Sequence, residues 1–327
     1  MTEQSTAGSN EALLHRYSSA LTGVFGAPSR VLVRGEGVHV WDADGRRYTD
    51  FLGGIAVNAL GHAHPALVRA VTEQLGTLGH ISNLFTSEQG ESGVHGWPAG
   101  YLQAAREATR RHGALLVFDE VQSGTGRTGT WFAHQNPAVT GQDTAVVPDA
   151  MTLAKGLGGG LPIGALISFG ARASQLLTAG QHGTTFGGNP VATAAGLAVL
   201  DTIVQEGLLE HARSLGARLA ERLRALDAVA RVRQYGLLLG VDVTVPAGSG
   251  HPVPDGGLAP ALVRAGLEAG YLLNATGPDT LRLAPPLVMG EQEADRLVAE
   301  LPSLLAAALG PDAPAQTPST PTQETSA

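Results

Sequence analysis

The most constraining stretch of this chain spans residues 98–119. There a segment with helical character, residues 98–112, feeds directly into the unbroken apolar run Ala114-Leu115-Leu116-Val117-Phe118. A helix followed at once by a strand without polar alternation is the pattern of an α/β chain whose strands lie parallel and covered on both faces. Pro98 suits a first helical turn, because its missing N–H is one that a helix start leaves unbonded anyway. Strands at 151–154 and 165–169 follow across glycine-rich turns, and long helices are predicted over 191–205 and 208–226.

The flanks read differently. Alternating residues around Val31-Leu32-Val33 and Val38-His39-Val40-Trp41, then a turn at Asp42-Ala43-Asp44-Gly45 into Arg46-Arg47-Tyr48, predict antiparallel strands. Helical spacing recurs over 66–78. After the long helices, strands are predicted near 229–232, 237–243 and 280–283, with amphipathic helices over 259–269 and 291–309. This organisation predicts five segments. They are a disordered start (1–10), the N-terminal part of a small domain (11–47), a large domain (48–205), the C-terminal small domain (206–310) and a Pro, Thr and Ser-rich disordered tail (311–327).

Composition narrows the function. With 327 residues, 43% hydrophobic and 15% charged, the chain has the makeup of a globular enzyme. A net charge of −8 without a stripe of Lys and Arg argues against nucleic acid as a partner. There is no cysteine, so neither a disulfide framework nor a thiolate metal site is expected. The polar first ten residues lack a secretory pattern and no apolar stretch reaches membrane-spanning length; a cytoplasmic protein is expected.

Of the 21 basic side chains, a single one is lysine, Lys155. It sits in Leu153-Ala154-Lys155-Gly156-Leu157-Gly158-Gly159-Gly160, at the end of an apolar strand and before backbone able to bend around a ligand. Arginine stays protonated, whereas a desolvated lysine can lose its proton and condense with an aldehyde. The structural alternative is a leftover lysine capping a turn. Asp119 ends the apolar run at 114–118, at the carboxyl end of a strand, where ligands of open α/β sheets lie. A carboxylate there suits a pyridine nitrogen; the alternative is an ordinary strand-end cap. His62 and His64 follow a glycine-rich turn with no further ligand set, so they read as packing residues and no metal is predicted.

Together these residues resemble the class III pyridoxal-phosphate-dependent aminotransferases of fold type I, the acetylornithine aminotransferase branch most closely. The resemblance is carried by Phe51-Leu52-Gly53-Gly54-Ile55-Ala56-Val57-Asn58, Gly61-His62-Ala63-His64-Pro65, Ser82-Asn83-Leu84-Phe85, the stretches 116–129, 153–165 and 182–190, and Arg282-Leu283-Ala284-Pro285. It implies an α/β fold with a mostly parallel sheet in a large domain and a smaller α+β domain. It also implies pyridoxal 5'-phosphate as cofactor and transfer of an amino group from N-acetylornithine to 2-oxoglutarate. Ornithine, succinylornithine or 4-aminobutyrate are alternative donors.

Lys155 is then the residue that carries the cofactor as an imine and shuttles protons. Asp119 pairs with the ring nitrogen, Val121 lies against the ring and Gln122 near its hydroxyl. Thr185 reaches the cofactor phosphate of a neighbouring subunit, which implies a homodimer. Arg282 receives a substrate carboxylate and Glu91 pairs with that arginine when the other substrate is bound; a structural salt bridge and a solvated loop acid are their respective alternatives. One departure stands out. Family members carry roughly a hundred more residues between Ser82-Asn83-Leu84-Phe85 and Gln89-Gly90-Glu91, too many for loop variation. Here the two abut at Thr86-Ser87-Glu88. The absent block would hold a phosphate-binding turn and a ring-stacking pair, so an inactive, dimerising form is the second expectation.

Overall fold

A computed structural model of the chain describes residues 9–20, 29–75, 94–176, 186–188 and 190–310. Among them the strands are β1 (Leu32–Glu36), β2 (His39–Asp42), β3 (Arg47–Asp50), β4 (Val117–Asp119), β5 (Ala150–Leu153), β6 (Ala165–Ser168), β7 (Val229–Tyr235), β8 (Leu238–Val243), β9 (Tyr271–Leu272), β10 (Asn274–Ala275) and β11 (Thr280–Leu283). They form three sheets, ordered β1-β2-β3-β9, β10-β11-β8-β7 and β4-β5-β6.

The first sheet is built on the expected turn. Asp42 Oδ1 accepts from the amides of Asp44 (3.0 Å) and Arg46 (2.9 Å), and Asp42 Oδ2 accepts from the Tyr48 hydroxyl (2.7 Å). One carboxylate thus closes the turn and orients β3 against β2, with Val40 opposite Tyr48. The second sheet is antiparallel throughout, and β8 at its centre pairs with both β7 and β11.

Helix Leu208–Arg224 lays Leu208, Ala212, Leu215, Leu219, Ala220 and Leu223 on one face. They belong to one core cluster with Leu237, Leu239 and Val241 of the sheet region and Leu297, Leu301 and Leu304 of helix Glu291–Leu309. Phe51, Leu60, Val199 and Ile203 join it, so the long helix Pro190–Gln205 is tied to the same core. Each fully buried leucine contributes about 1.5–3 kcal/mol.

Two expectations are corrected. The helix after Pro98 is Tyr101–Arg111, capped by Gly100 at φ 77; Pro98 stays in the preceding turn, where its carbonyl accepts from the Tyr101 amide (3.0 Å). The strand expected over 114–118 is β4, shorter and shifted to include Asp119, and it is an edge strand: Val117 is 51% exposed. An unbroken apolar run signals cover on both faces, but among the described residues only β5 pairs with β4. The expected α/β organisation is present with mixed sheets: among the described residues β4 pairs parallel with β5 and β3 with β9, while β6 runs antiparallel to β5.

Candidate functional site

In the parallel pair, Val117, Phe118 and Asp119 face Ala150, Met151 and Thr152. Asp119 therefore closes β4 beside Thr152, and Lys155 follows three residues later in the turn Lys155–Gly158. Both groups stand at the carboxyl ends of adjacent strands, which lie about 4.8 Å apart in such a sheet. Asp119 Oδ1 accepts from Thr152 Oγ1 (3.1 Å) and from the Val121 amide (3.0 Å). Both bonds end on the same oxygen of an exposed residue.

Lys155 is half-buried and has φ 44, a left-handed backbone that costs a side-chain-bearing residue roughly 1–2 kcal/mol. It is not alone. Thr125 (φ 53), Ile55 (φ 61) and Ala56 (φ 64) share this conformation and lie on segments that meet the lysine turn. A Cβ built on Gly156 would sit 3.6 Å from Ala59 Cβ and 3.7 Å from Thr125 Cβ. Strain gathered on converging loops marks a place that the surrounding fold holds for function.

The same segments reach the second sheet. The Ala284 amide donates to Phe51 O (3.1 Å), the Leu287 amide to Ala59 O (2.6 Å), and a Cβ on Gly53 would strike Ala284 O at 2.7 Å. Only glycine allows that approach. Arg127, in the loop after Asp119, is buried and donates from Nη1 to Leu237 O (3.2 Å) and Pro285 O (2.5 Å). Burial without a carboxylate beside it pulls its guanidinium down to about 10. Ala56, Val94, Leu238 and Ala284 form a small apolar cluster between these segments.

The structure thus brings the Asp119 and Lys155 segments together, and ties the 282–287 segment to them through Arg127 and residues 51–59. Val121 and Gln122 lie half-buried in the turn after Asp119. Arg282 is in β11, opposite Gly240 of β8 and Asn274 of β10, and only 2% exposed. Glu91 and Thr185 fall outside the described residues. His62 packs as expected, its Nε2 2.8 Å from Asp50 Oδ2.

Two residues escaped the reading of the sequence. One is Arg127, lost among twenty arginines. The other is Glu120, next to Asp119, which is 3% exposed and bonded to His134. Burial would push the Glu120 carboxyl up, but the bonds from His134, Ser123 and two backbone amides outweigh it and hold the group below its usual range. Strand alternation was the available signal, since it puts Glu120 on the face opposite to Asp119.

Comparison with known proteins adds a second line. The sequence model of the class-III aminotransferase family matches residues 25–89 and 87–305, two stretches that meet at residues 87–89. The acetylornithine aminotransferase of Streptomyces coelicolor is 39% identical over 404 aligned positions, covering 91% of this chain and 96% of that protein. Those 404 positions exceed the 327 residues of the chain. Among solved structures, the N-acetylornithine aminotransferase of Stenotrophomonas maltophilia superposes with a TM-score of 0.70 at 28% identity, covering 90% of this chain and 98% of that one. The acetylornithine aminotransferase of Elizabethkingia anophelis gives 0.76 at 25%, covering 91% and 99%. A family model matched over most of the chain, and a relative 39% identical across 91% of it, make this a member of the class-III aminotransferases, enzymes that depend on pyridoxal phosphate.

Proposed function

We propose that this chain transfers an amino group from N-acetylornithine, or a similar ω-amino donor, to 2-oxoglutarate in arginine biosynthesis, in the cytoplasm. The reading rests on the juxtaposition of Asp119 and Lys155 on β4 and β5, and on relatives that carry the name acetylornithine aminotransferase. The donor set fits the cofactor's ring end: an amine for the aldehyde, and for the pyridine nitrogen an exposed carboxylate held through one oxygen.

When bound, pyridoxal phosphate supplies an aldehyde that captures amines and a protonated ring that takes up electron density. Lys155 Nζ would hold that aldehyde, and its amine would serve as the general base that takes up and returns a proton. Asp119 would pair with the ring nitrogen and keep it protonated, its Oδ1 held by the Thr152 hydroxyl and the Val121 amide. Val121 would lie against the ring and Gln122 near its hydroxyl. Arg282 receives a substrate carboxylate in a bidentate grip, with Glu91 as its counter-charge when the other substrate is bound. Thr185 serves the phosphate of a partner copy in a homodimer.

A second reading has its own support. An alignment longer than the chain, a family match in two stretches and a half-exposed Val117 on β4, an edge strand among the described residues, all favour a form lacking an internal block near residues 86–90. Without that block's phosphate contacts the chain would serve as a dimerising partner and not as a catalyst. One experiment separates the two. Adding pyridoxal phosphate to the purified chain is expected to raise a visible absorbance band that borohydride fixes onto the Lys155 peptide and that Lys155→Ala abolishes. A chain that yields no band and no adduct would sink the first reading.

A further inference from the structure

We propose that Glu120, with His134, is a positioning residue for Asp119: a clamp on the back of β4 that holds the carboxylate at the strand's end in place. The inference rests on the role proposed above for Asp119.

Phe118 and Glu120 share the face of β4 opposite to Asp119, and both meet His134. The Phe118 and His134 rings are 5.4 Å apart, and Phe132 stacks on the imidazole at 5.8 Å with planes 3° apart. Glu120 Oε1 accepts from the His134 amide (2.9 Å) and lies 3.1 Å from His134 Nδ1. Oε2 accepts from Ser123 Oγ (2.6 Å) and the Ala133 amide (3.0 Å). The Glu120 amide donates to Thr152 O (3.0 Å), extending the β4–β5 ladder one residue past Asp119, and its carbonyl accepts from the Gly124 amide (2.9 Å).

Every polar atom of Glu120 is therefore bonded, inside the protein. Asp119, exposed, has two bonds of its own, one of them to the Val121 amide in the turn that Glu120 begins. The place of the exposed carboxylate is inherited from the buried one beside it. A charged acceptor suits this task, because four donors converge on it and a neutral side chain could satisfy them only in part.

The test uses the full chain with pyridoxal phosphate added, reading cofactor affinity and the pH titration of the bound cofactor's absorbance. Glu120→Gln is expected to weaken affinity about tenfold, by loss of a charge-assisted bond, and to shift the titration in the direction that Asp119→Asn shifts it. His134→Phe keeps a ring against Phe118 and Phe132 but deletes the donor. It is expected to give a smaller shift of the same sign, and it carries the test if Glu120→Gln does not fold. In an Asp119→Asn background neither change should add anything further. Full additivity, or a titration unmoved in a folded Glu120 or His134 variant, would overturn the inference alone. A wild-type chain without any band would overturn both the inference and the function on which it rests.

Discussion

Thr152 hands a hydrogen bond to Asp119 across the β4–β5 pair, Oγ1 to Oδ1 at 3.1 Å, so one strand orients the carboxylate that ends the other. An asparagine at 119 can turn its own oxygen to the same two donors. Asp119→Asn is therefore expected to keep its melting temperature within about 1–2 °C. Transamination should fall on the order of 10²-fold as the counter-charge to the ring nitrogen is lost. A variant with near wild-type turnover would rule out a pairing of Asp119 with the ring.

Arg127 anchors the same loop from below. Arg127→Met leaves the carbonyls of Leu237 and Pro285 buried without their donor, which costs roughly 1–3 kcal/mol for each group. Urea unfolding should show a lower midpoint, and an unchanged midpoint would mean that water replaces the guanidinium there.

Gly216 lies on helix Leu208–Arg224, where alanine would ordinarily improve helicity. Here a Cβ would stand 1.9 Å from Gly236 O. Gly216→Ala should destabilise by about 2–3 kcal/mol, because backbone has to move to make room. Thermal denaturation decides this; a stability gain would mean that the helix can ride away from the 236 turn.

Acid stability should depend on Asp242. Arg233 grips both its oxygens, with Nη2 to Oδ1 at 2.6 Å, and the Thr280 hydroxyl adds a bond at 2.7 Å. The Arg233 bond is the main cause that holds the carboxyl below its ordinary 3.8, while burial opposes it. The folded value lies under the unfolded one, so this stabilisation is whole above about pH 4 and drains away as pH falls through the folded value. Asp242→Asn should lower the melting temperature at pH 7 and flatten its decline in acid; an unaltered acid limb would refute the assignment.

Among the described residues β4 is an edge strand, and this predicts behaviour in solution. Val117 is half exposed on an edge strand, a template for pairing between chains. Val117→Lys is expected to leave stability within about 0.5 kcal/mol and to reduce light scattering of concentrated samples. Scattering equal to wild type would point to another sticky surface.

Much of this was legible because it depends on neighbours in sequence. The helices over 208–224 and 291–309 follow from apolar spacing, the turn at 42–45 from Asp and Gly, and the interest of Lys155 from its being the sole lysine after an apolar strand. The clamp of Glu120 and His134 spans fourteen positions, and the reach of Arg127 to Pro285 spans 158. No local pattern encodes such pairings. The exposure of Val117 was illegible for the converse reason. A strand's own residues state how much cover they suit, but whether another element supplies it is settled only when the chain is packed. Sequence by itself determined which groups could do the chemistry and which segments could be regular. Tertiary structure alone decided which groups meet, because burial and hydrogen-bond partners are properties of the assembled fold and not of any stretch within it.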